Sequence, residues 1–411
     1  MSDTRKTTKP NVPNLRFPGF EGEWEKMKAS DLLDFFSTNS LSWEQLEYGG
    51  VGLLNLHYGL IHNGLPTQID INDSTLPAIK AGNEPRKFTL CKEGDIAFAD
   101  ASEDTNDVGK VVEFVDCAGK NVVCGLHTIH GRDKLDKTVP GFKGYVFSSK
   151  AFHDQIKRIA QGTKVFSIRA GCFDEVSIGI PDKEEQKKIA ALLSLIDQRI
   201  SIQTKVIERY RSLIRAIIQD SQKKASTTIY LKDVLSERRE LNSEGYQICS
   251  VSVSKGIVNQ VEYLGRSFAA KETNHYHVVK EGDIVYTKSP TGAFPYGIIK
   301  QSKLVIPVAV SPLYGVYSPI FPEVGAYLHY YFCSPENTLN YLRKLIQKGA
   351  KNTINISNTH FLENTIRIPE RITLSSAMAA INTLSSRVET EVSLLRCLAL
   401  QRAFFLNQMF I

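Results

Sequence analysis

The chain has 411 residues, a hydrophobic fraction of 42%, a charged fraction of 23% and a formal net charge of +6. That length builds two or three domains with cores of their own, and the composition excludes a disordered or fibrous chain. No apolar run reaches the roughly 18 residues of a membrane span, and the first residues lack the apolar stretch of a secretory signal, so no membrane is expected. The mild basic excess is compatible with nucleic acid without requiring it. Seven cysteines, at 91, 117, 124, 172, 249, 333 and 397, form no Cys-x-x-Cys pair; the set reads as reduced thiols in a cytoplasmic protein.

In chain order, residues 1–24 read as an N-terminal arm whose first dozen residues are flexible. Residues 25–181 hold short β-branched runs such as KVVEFV and NVVC, broken by Gly, Pro, Asn and Asp, with one helical stretch at 149–160. Residues 182–224 then form one long helical pattern. Asp182 is the expected N-cap, with Glu185 closing a capping box. Ile189, Leu193, Ile196, Ile200, Gln203, Ile207, Tyr210, Ile214 and Ile217 recur in steps of 4 and 3, a coiled-coil seam with a polar member. A second β-rich region, 225–369, holds KGIV, DIVY and KLVIPVAV and a helical stretch at 337–347. Residues 370–411 repeat the seam through Ile381, Leu384, Val388, Glu391, Leu395, Leu398, Arg402 and Phe405. Each helix of about 40 residues extends about 60 Å, and a seam of that length needs a partner.

The chain repeats itself. KEGDI at 92–96 returns at 280–284, an offset of 188, and FDEVSIGIP (173–181) answers FLENTIRIP (361–369) at the same offset. QGTKVFSI (161–168) answers KGAKNTIN (348–355), and YGLI (58–61) is set against KGIV (255–258). A period of this size means two similar domains. KEGDI sits between strand-like runs and predicts a tight hairpin with its glycine at positive φ. The unlike segments after it, ADASEDTND and TKSPTGAFPY, are where the copies can differ in function.

Catalytic signatures are missing. GGVG (49–52) has no phosphate-loop spacing, and no Gly-x-Ser-x-Gly elbow occurs. PDKEEQK (181–187) places its charges within one helical turn, which suits capping rather than a metal-dependent nuclease. HTIH (127–130) and HYH (275–277) do not recur between copies, and no cysteine or carboxylate next to them completes a ligand set, so no metal is expected.

RFPGF (16–20), KEGDIAF, KEGDIVY and IPDKEEQKKIAALLSLIDQRI together resemble the specificity subunit of type I restriction-modification systems, over nearly the whole chain. The second helix departs from that pattern: RIPERITLSSAMAAINTL has no Glu-Gln pair. The resemblance implies an α+β fold in which two β-rich mixed target recognition domains, 25–181 and 225–369, are separated by the two long helices. The helices form an antiparallel coiled coil about an internal pseudo-twofold repeat. It also implies a non-catalytic subunit that reads a bipartite, gapped sequence in double-stranded DNA and docks two modification methyltransferase subunits, joined by two restriction motor-nuclease subunits. S-adenosylmethionine, ATP and Mg then belong to those partners, and this chain needs no cofactor. The other reading is a non-catalytic coiled-coil scaffold or adaptor with two protein-binding domains.

Side-chain chemistry selects candidates for reading base edges. In the first domain they are Ser102, Glu103, Asp104 and Asn106 after KEGDI, with Asn55, His57, Tyr58, His127, His130 and Arg132. In the second they are Lys288, Ser289 and Thr291, then Ser254, Lys255, Arg266 and Tyr296. Arg86, Lys87, Lys110 and Lys271 suit phosphates, which position without specifying.

Overall fold

A computed structural model describes residues 11–72, 75–117, 119–261, 272–348 and 354–411. The chain divides into unit 1, residues up to Thr204 with Ser393–Ile411, and unit 2, Lys205–Val392. The division cuts both long helices, so each unit holds one β-rich domain and one end of each helix.

Unit 1 is built on a five-stranded sheet of β1 (Leu33–Phe36), β2 (Gln68–Asp70), β3 (Ile96–Ala99), β4 (Val111–Asp116) and β5 (Thr128–Asp133). Its order is β1-β5-β3-β4-β2, antiparallel except for the parallel edge pair β4 and β2. All four residues of β3 are buried, so its short apolar run fills a central position with no solvated face. Short helix α1 (Phe142–Val146) and helix α2 (Lys150–Ile159) follow, α2 capped by the Ser149 hydroxyl, which accepts the Phe152 N–H at 3.2 Å. Phe98, Phe147, Phe152 and Phe173 pack ring on ring against this layer. A smaller sheet joins Val122–Cys124, Leu54–Leu56, Ala78–Ile79 and Leu46–Glu47. The long helix α3 (Lys183–Lys224) begins after the strand Ser177–Ile180.

Unit 2 repeats the plan. Strands β6 (Leu235–Glu237), β7 (Ile284–Thr287), β8 (Ile298–Gln301) and β9 (Gly315–Pro319) lie in the order β6-β9-β7-β8, matching β1-β5-β3-β4. Helix α4 (Pro322–Phe332) and helix α5 (Pro335–Arg343) follow, and α6 (Arg371–Gln408) closes the repeat. The helix expected at 337–347 stops at Arg343, and Gln347–Lys348 pairs as a strand instead. The strand pair at the base of each domain also repeats: Glu25–Lys28 with Ser177–Ile180, and Thr228–Tyr230 with Thr365–Arg367.

The registers make the copies comparable residue by residue. Ile96 stands opposite Gly131 as Ile284 stands opposite Tyr317. His130 therefore corresponds to Val316 and Arg132 to Ser318. Phe36, opposite His130, corresponds to Arg238, whose N–H donates to the Val316 carbonyl. The upstream match of YGLI with KGIV does not survive: Tyr58–His62 is helical, whereas Gly256–Asn259 is a strand paired with Cys249–Ser252.

The KEGDI turn has its glycine at positive φ in both copies, +81° at Gly94 and +85° at Gly282. It is not a hairpin. Leu90 bridges Val123, and His277–Val279 pairs with Val308–Val310, while the following strands β3 and β7 join the main sheets. The turn is a corner that hands the chain from one sheet to the next. Its aspartate closes it: Asp95 Oδ2 accepts the Lys92 N–H at 2.9 Å, and Asp283 Oδ2 accepts the Lys280 N–H at 2.8 Å.

The helix seam is the buried stripe of both helices. On α3, Leu193, Ile196, Gln203, Ile207 and Ile214 are buried and Ile200 and Tyr210 half-buried. On α6, Ile381 is buried and Leu384, Val388, Glu391, Leu395, Leu398 and Phe405 are half-buried. In unit 1, Ile189 and Leu193 share a core with Leu406 and Met409; in unit 2, Ile214 and Ile218 share one with Leu374, Met378 and Ile381. The start of one helix thus meets the end of the other, which is antiparallel pairing. Arg402, a seam position, is ion-paired with Asp197 and donates to the Thr67 hydroxyl at 2.6 Å.

Two expectations at the head of α3 change. Asp182 does cap the helix, its Oδ1 accepting the Glu185 N–H at 2.9 Å, but the Glu185 side chain does not turn back to close a box. It is fully buried and held by Arg16, whose Nε and Nη2 each donate at 2.7 Å, and by the Trp24 indole N–H at 3.2 Å. Gln186 accepts the Val139 N–H and donates to the carbonyls of Lys137 and Pro181, all at 2.9 Å. RFPGF and the Glu-Gln pair are two halves of one clasp. Most of the dozen residues expected to be flexible, 1–10, lie outside the described residues; the stretch that follows is tied down, the Leu15 N–H donating to the Gln408 carbonyl at 2.9 Å and Trp24 packing edge-on to Phe410.

Candidate nucleic-acid interface

In unit 1 the loop after β3 lies beside the helix Tyr58–His62 and the turn before β5. His57 caps that helix, Nδ1 accepting the Gly59 N–H at 3.1 Å, and its ring lies 4.3 Å from Trp43 and 4.8 Å from Tyr58. Tyr58 meets His127 at 5.0 Å and His62 at 5.7 Å. His127 is exposed, holds φ at +55° and pairs through Nδ1 with Asp100 at 3.0 Å. Burial pushes the Asp100 carboxyl up against the pull of His127, and burial with nearby His127 pushes the His57 imidazole down. The result is a ring cluster at the domain surface with Trp43 at its exposed edge.

The adjoining loop is a tight turn. Ser102 accepts the Asp104 N–H at 3.1 Å, and Asp104 accepts the Asn106 N–H at 2.8 Å. Asn106 is tied to α2 by the Lys157 ammonium at 2.7 Å. Glu103, Asp104 and Asn106 are exposed, so this edge offers acceptors to partners that donate.

Three first-domain candidates fall out: His57, which anchors the ring cluster, is itself only 2% exposed, and two others are as deeply buried. Asn55 is fully buried, its Oδ1 taking the Asn39 amide at 2.7 Å while its Nδ2 has no protein acceptor. His130 is 1% exposed and engaged with Asp95 at 2.8 Å. None of the three presents an edge to a base. Arg132, a quarter exposed, spends its guanidinium on Asp95 (Nε to Oδ1 and Nη2 to Oδ2, both 2.7 Å) and stacks over Phe36. Burial alone raises the Asp95 carboxyl, but hydrogen bonds from Arg132 and His130 outweigh it and hold the group below the usual range.

In unit 2 the segment after β7 leaves the equivalent strand end. Ser289 and Thr291 are exposed, Lys288 is half-buried with its ammonium pushed down by burial, and the Tyr296 carbonyl accepts the Tyr286 hydroxyl at 2.8 Å. Ser254 and Lys255 sit at the tip of the hairpin Cys249–Asn259, both exposed. Arg266 and Lys271 lie outside the described residues. The framework aspartate recurs here as well, with a different arginine: Arg238 Nε donates to Asp283 Oδ2 at 2.6 Å, and Ser318, standing where Arg132 stands in unit 1, donates to Oδ1 at 2.8 Å.

Sequence reasoning missed Trp43 and Asp100. A signal existed for the first: Ser42-Trp-Glu-Gln45 is a capping box, with Gln45 Oε1 accepting the Ser42 N–H at 3.0 Å, and it displays the tryptophan inside it. No signal marked Asp100, whose role depends on the fold bringing His127 to it.

Residues 118–209 match the family described as type I restriction modification DNA specificity domain. That stretch of the chain is similar to the family, and the rest lies outside the match. The match runs from the second half of the first β-rich domain into α3 and includes Glu185 and Gln186. No curated protein is significantly similar in sequence. Among solved structures, the type I restriction-modification S subunit from M. genitalium aligns over 97% of this chain and 99% of its own, at 16% identity and TM-score 0.58. A structure described as the basis of complex assembly and conformational transition of the type I R-M system covers 96% of this chain and 98% of its own, at 11% identity and TM-score 0.52. The whole-chain fold is that of type I specificity subunits, with two β-rich domains and two long helices. Among the described residues no helix is long and apolar enough to cross a membrane.

Proposed function

We propose that this chain reads a bipartite, asymmetric, gapped sequence in double-stranded DNA, one half with each β-rich domain, and docks two methyltransferase subunits. One observation carries the reading. Both domains share the same strand order and the same aspartate-closed turn, yet the segments leaving that turn are unlike. A common scaffold with unlike filling suits two readers of unlike half-sites; like filling would suit a palindrome. In the first domain the exposed set is Trp43, His127, Glu103, Asp104 and Asn106, with the half-buried Tyr58: rings to stack, acceptors for cytosine, an amide for adenine. In the second it is Ser254, Lys255, Ser289 and Thr291. Adenine methylation with S-adenosylmethionine, and cleavage driven by ATP and Mg, fall to partner subunits; this chain supplies no catalytic group and needs no cofactor for reading DNA.

The test is an exchange. Residues 25–181 are replaced by the equivalent domain of another specificity subunit, the hybrid is expressed with the methyltransferase subunits, and modified adenines are mapped by sequencing. One half-site changes and the other stays. A change in both halves would sink the modular reading. Loss of methylation with DNA binding that is insensitive to salt would favour the scaffold reading, because phosphate contacts make binding steeply salt-dependent.

A further inference from the structure

Three side chains in the core of unit 1 have apolar counterparts in unit 2. Cys91, Cys124 and His130 are 5%, 3% and 1% exposed. The shared register sets them on Val279, Val310 and Val316: Leu90 bridges Val123 as Val278 pairs with Ala309, and His130 faces Ala97 as Val316 faces Val285. Those valines are fully buried and belong to one apolar cluster. Where one copy has three valines of one core cluster, the other has two thiols and an imidazole. Apolar packing asks for no such exchange, and burying an imidazole costs free energy unless its nitrogens are used.

The geometry gives the exchange a purpose. One ligand atom from each of the three residues lies within 4.8 Å of the others, and the two sulfurs are 3.6 Å apart. A disulfide requires about 2.05 Å. Two thiolates on one tetrahedral zinc, each about 2.3 Å from the metal, stand about 3.8 Å apart. His130 Nε2 is engaged by Asp95 at 2.8 Å, which leaves Nδ1 for a metal. A carboxylate on the far nitrogen is the outer arrangement that orients zinc-bound histidines. Asp95 is itself fixed by Arg132 and the Lys92 N–H. Cys117 donates through its Sγ to the Cys91 carbonyl at 3.7 Å and is not one of the three mutually close ligands.

We propose that Cys91, Cys124 and His130 are ligands of a structural site for a thiolate-preferring divalent cation, zinc foremost. Its location says what it does. Cys91 precedes the corner turn, Cys124 ends a strand of the small sheet, and His130 is in β5 of the large one. A cation here pins both sheets of the first domain together beside the turn that joins them. Three protein ligands leave a fourth position for a water or a reoriented side chain; the burial of all three shuts out a substrate, which suits a structural role.

The experiment uses the full chain, expressed with zinc in the medium and analysed by elemental mass spectrometry. One zinc per chain is expected, and refolding with cobalt(II) gives a thiolate-to-cobalt charge-transfer absorption. Chelation lowers the thermal midpoint. The triple variant Cys91→Val/Cys124→Val/His130→Val copies the second domain's core; it folds, binds neither metal and is indifferent to chelator. If that variant fails to fold, Cys124→Ser still tests the site by loss of the cobalt band. Wild-type protein with substoichiometric zinc and no cobalt band overturns the proposal. So does a triple variant that retains the wild-type metal content, or a native chain in which Cys91 and Cys124 are found oxidised to each other.

Discussion

Arg238→Phe removes the guanidinium that holds Asp283 and places there the residue type that unit 1 has at the same position, Phe36. The Asp283 side chain is 2% exposed and that of Arg238 22%. Breaking a buried pair by deleting one partner costs about 3–5 kcal/mol. The partial exposure of Arg238 and the surviving bonds from Ser318 and Lys280 reduce this, so about 2–4 kcal/mol is expected. The double variant Arg238→Phe/Ser318→Arg then rebuilds the unit 1 arrangement, an arginine on the neighbouring strand stacked over a phenylalanine. Val316 is smaller than its counterpart His130, so the transplanted arginine has room to reach the carboxylate. Hydrogen exchange by mass spectrometry on peptides covering β7 and β9 reports unit 2 by itself. The single variant should exchange faster there by about 30-fold to 1,000-fold, taking 1.4 kcal/mol as tenfold, and the double should recover most of the protection. A double variant as weak as the single would refute the claim that the two domains hold one aspartate by interchangeable arginines.

Glu185→Ala strips the carboxylate from Arg16 and Trp24. With Arg16 only 13% exposed, the loss should be about 2–3 kcal/mol, read as proteolytic release of residues 15–24 while peptides from unit 2 stay protected. His329, lowered to about 3 by burial and by Lys300 and Lys303, stays neutral in the fold. Because its folded value is depressed, its contribution is full above about 6.5 and is lost as pH falls towards 3, on the order of 1–2 kcal/mol by pH 5; His329→Gln should flatten that part of the unit 2 pH profile in urea denaturation. Inserting four residues after Ile200, about 6 Å of helix, should lengthen the gap in the methylated target by one or two base pairs with both half-sites kept; methylation at the original spacing would remove the helices from the role of spacer.

Much of the framework was legible because it rests on local chemistry. The seam residues repeat every 3 or 4 positions, and the same residues are the buried stripe of both helices. Gly94 and Gly282 are at positive φ because a closed turn needs it there. What failed was pairing at a distance. KEGDI read as a hairpin because strand-like runs flank it, and nothing local says that they belong to different sheets. Glu185 read as a capping-box member because its partner Arg16 lies 169 positions away. The His130 imidazole read as a possible reader of bases because only the fold shows that Asp95 takes it inside. Of the candidates, Tyr58 and His127 do converge on the buried His57, whereas Trp43 and Asp100 join them through tertiary packing alone.

The arginine that holds the framework aspartate also bears on how such chains can recombine. Its carboxylate is kept in both domains, but its partner comes from β5 in one and from just beyond β6, the counterpart of β1, in the other. A crossover inside a domain that joined β1 of the first copy to the rest of the second would carry Phe36 and Ser318 and leave the aspartate with no arginine. The reciprocal joint would crowd two arginines around one carboxylate. Viable shuffling is therefore confined to joints outside the strand set, and the long helices, with their uniform seam, are the stretches where a joint disturbs no such pair. Exchange by whole domains is, on this argument, a consequence of where one salt bridge is anchored.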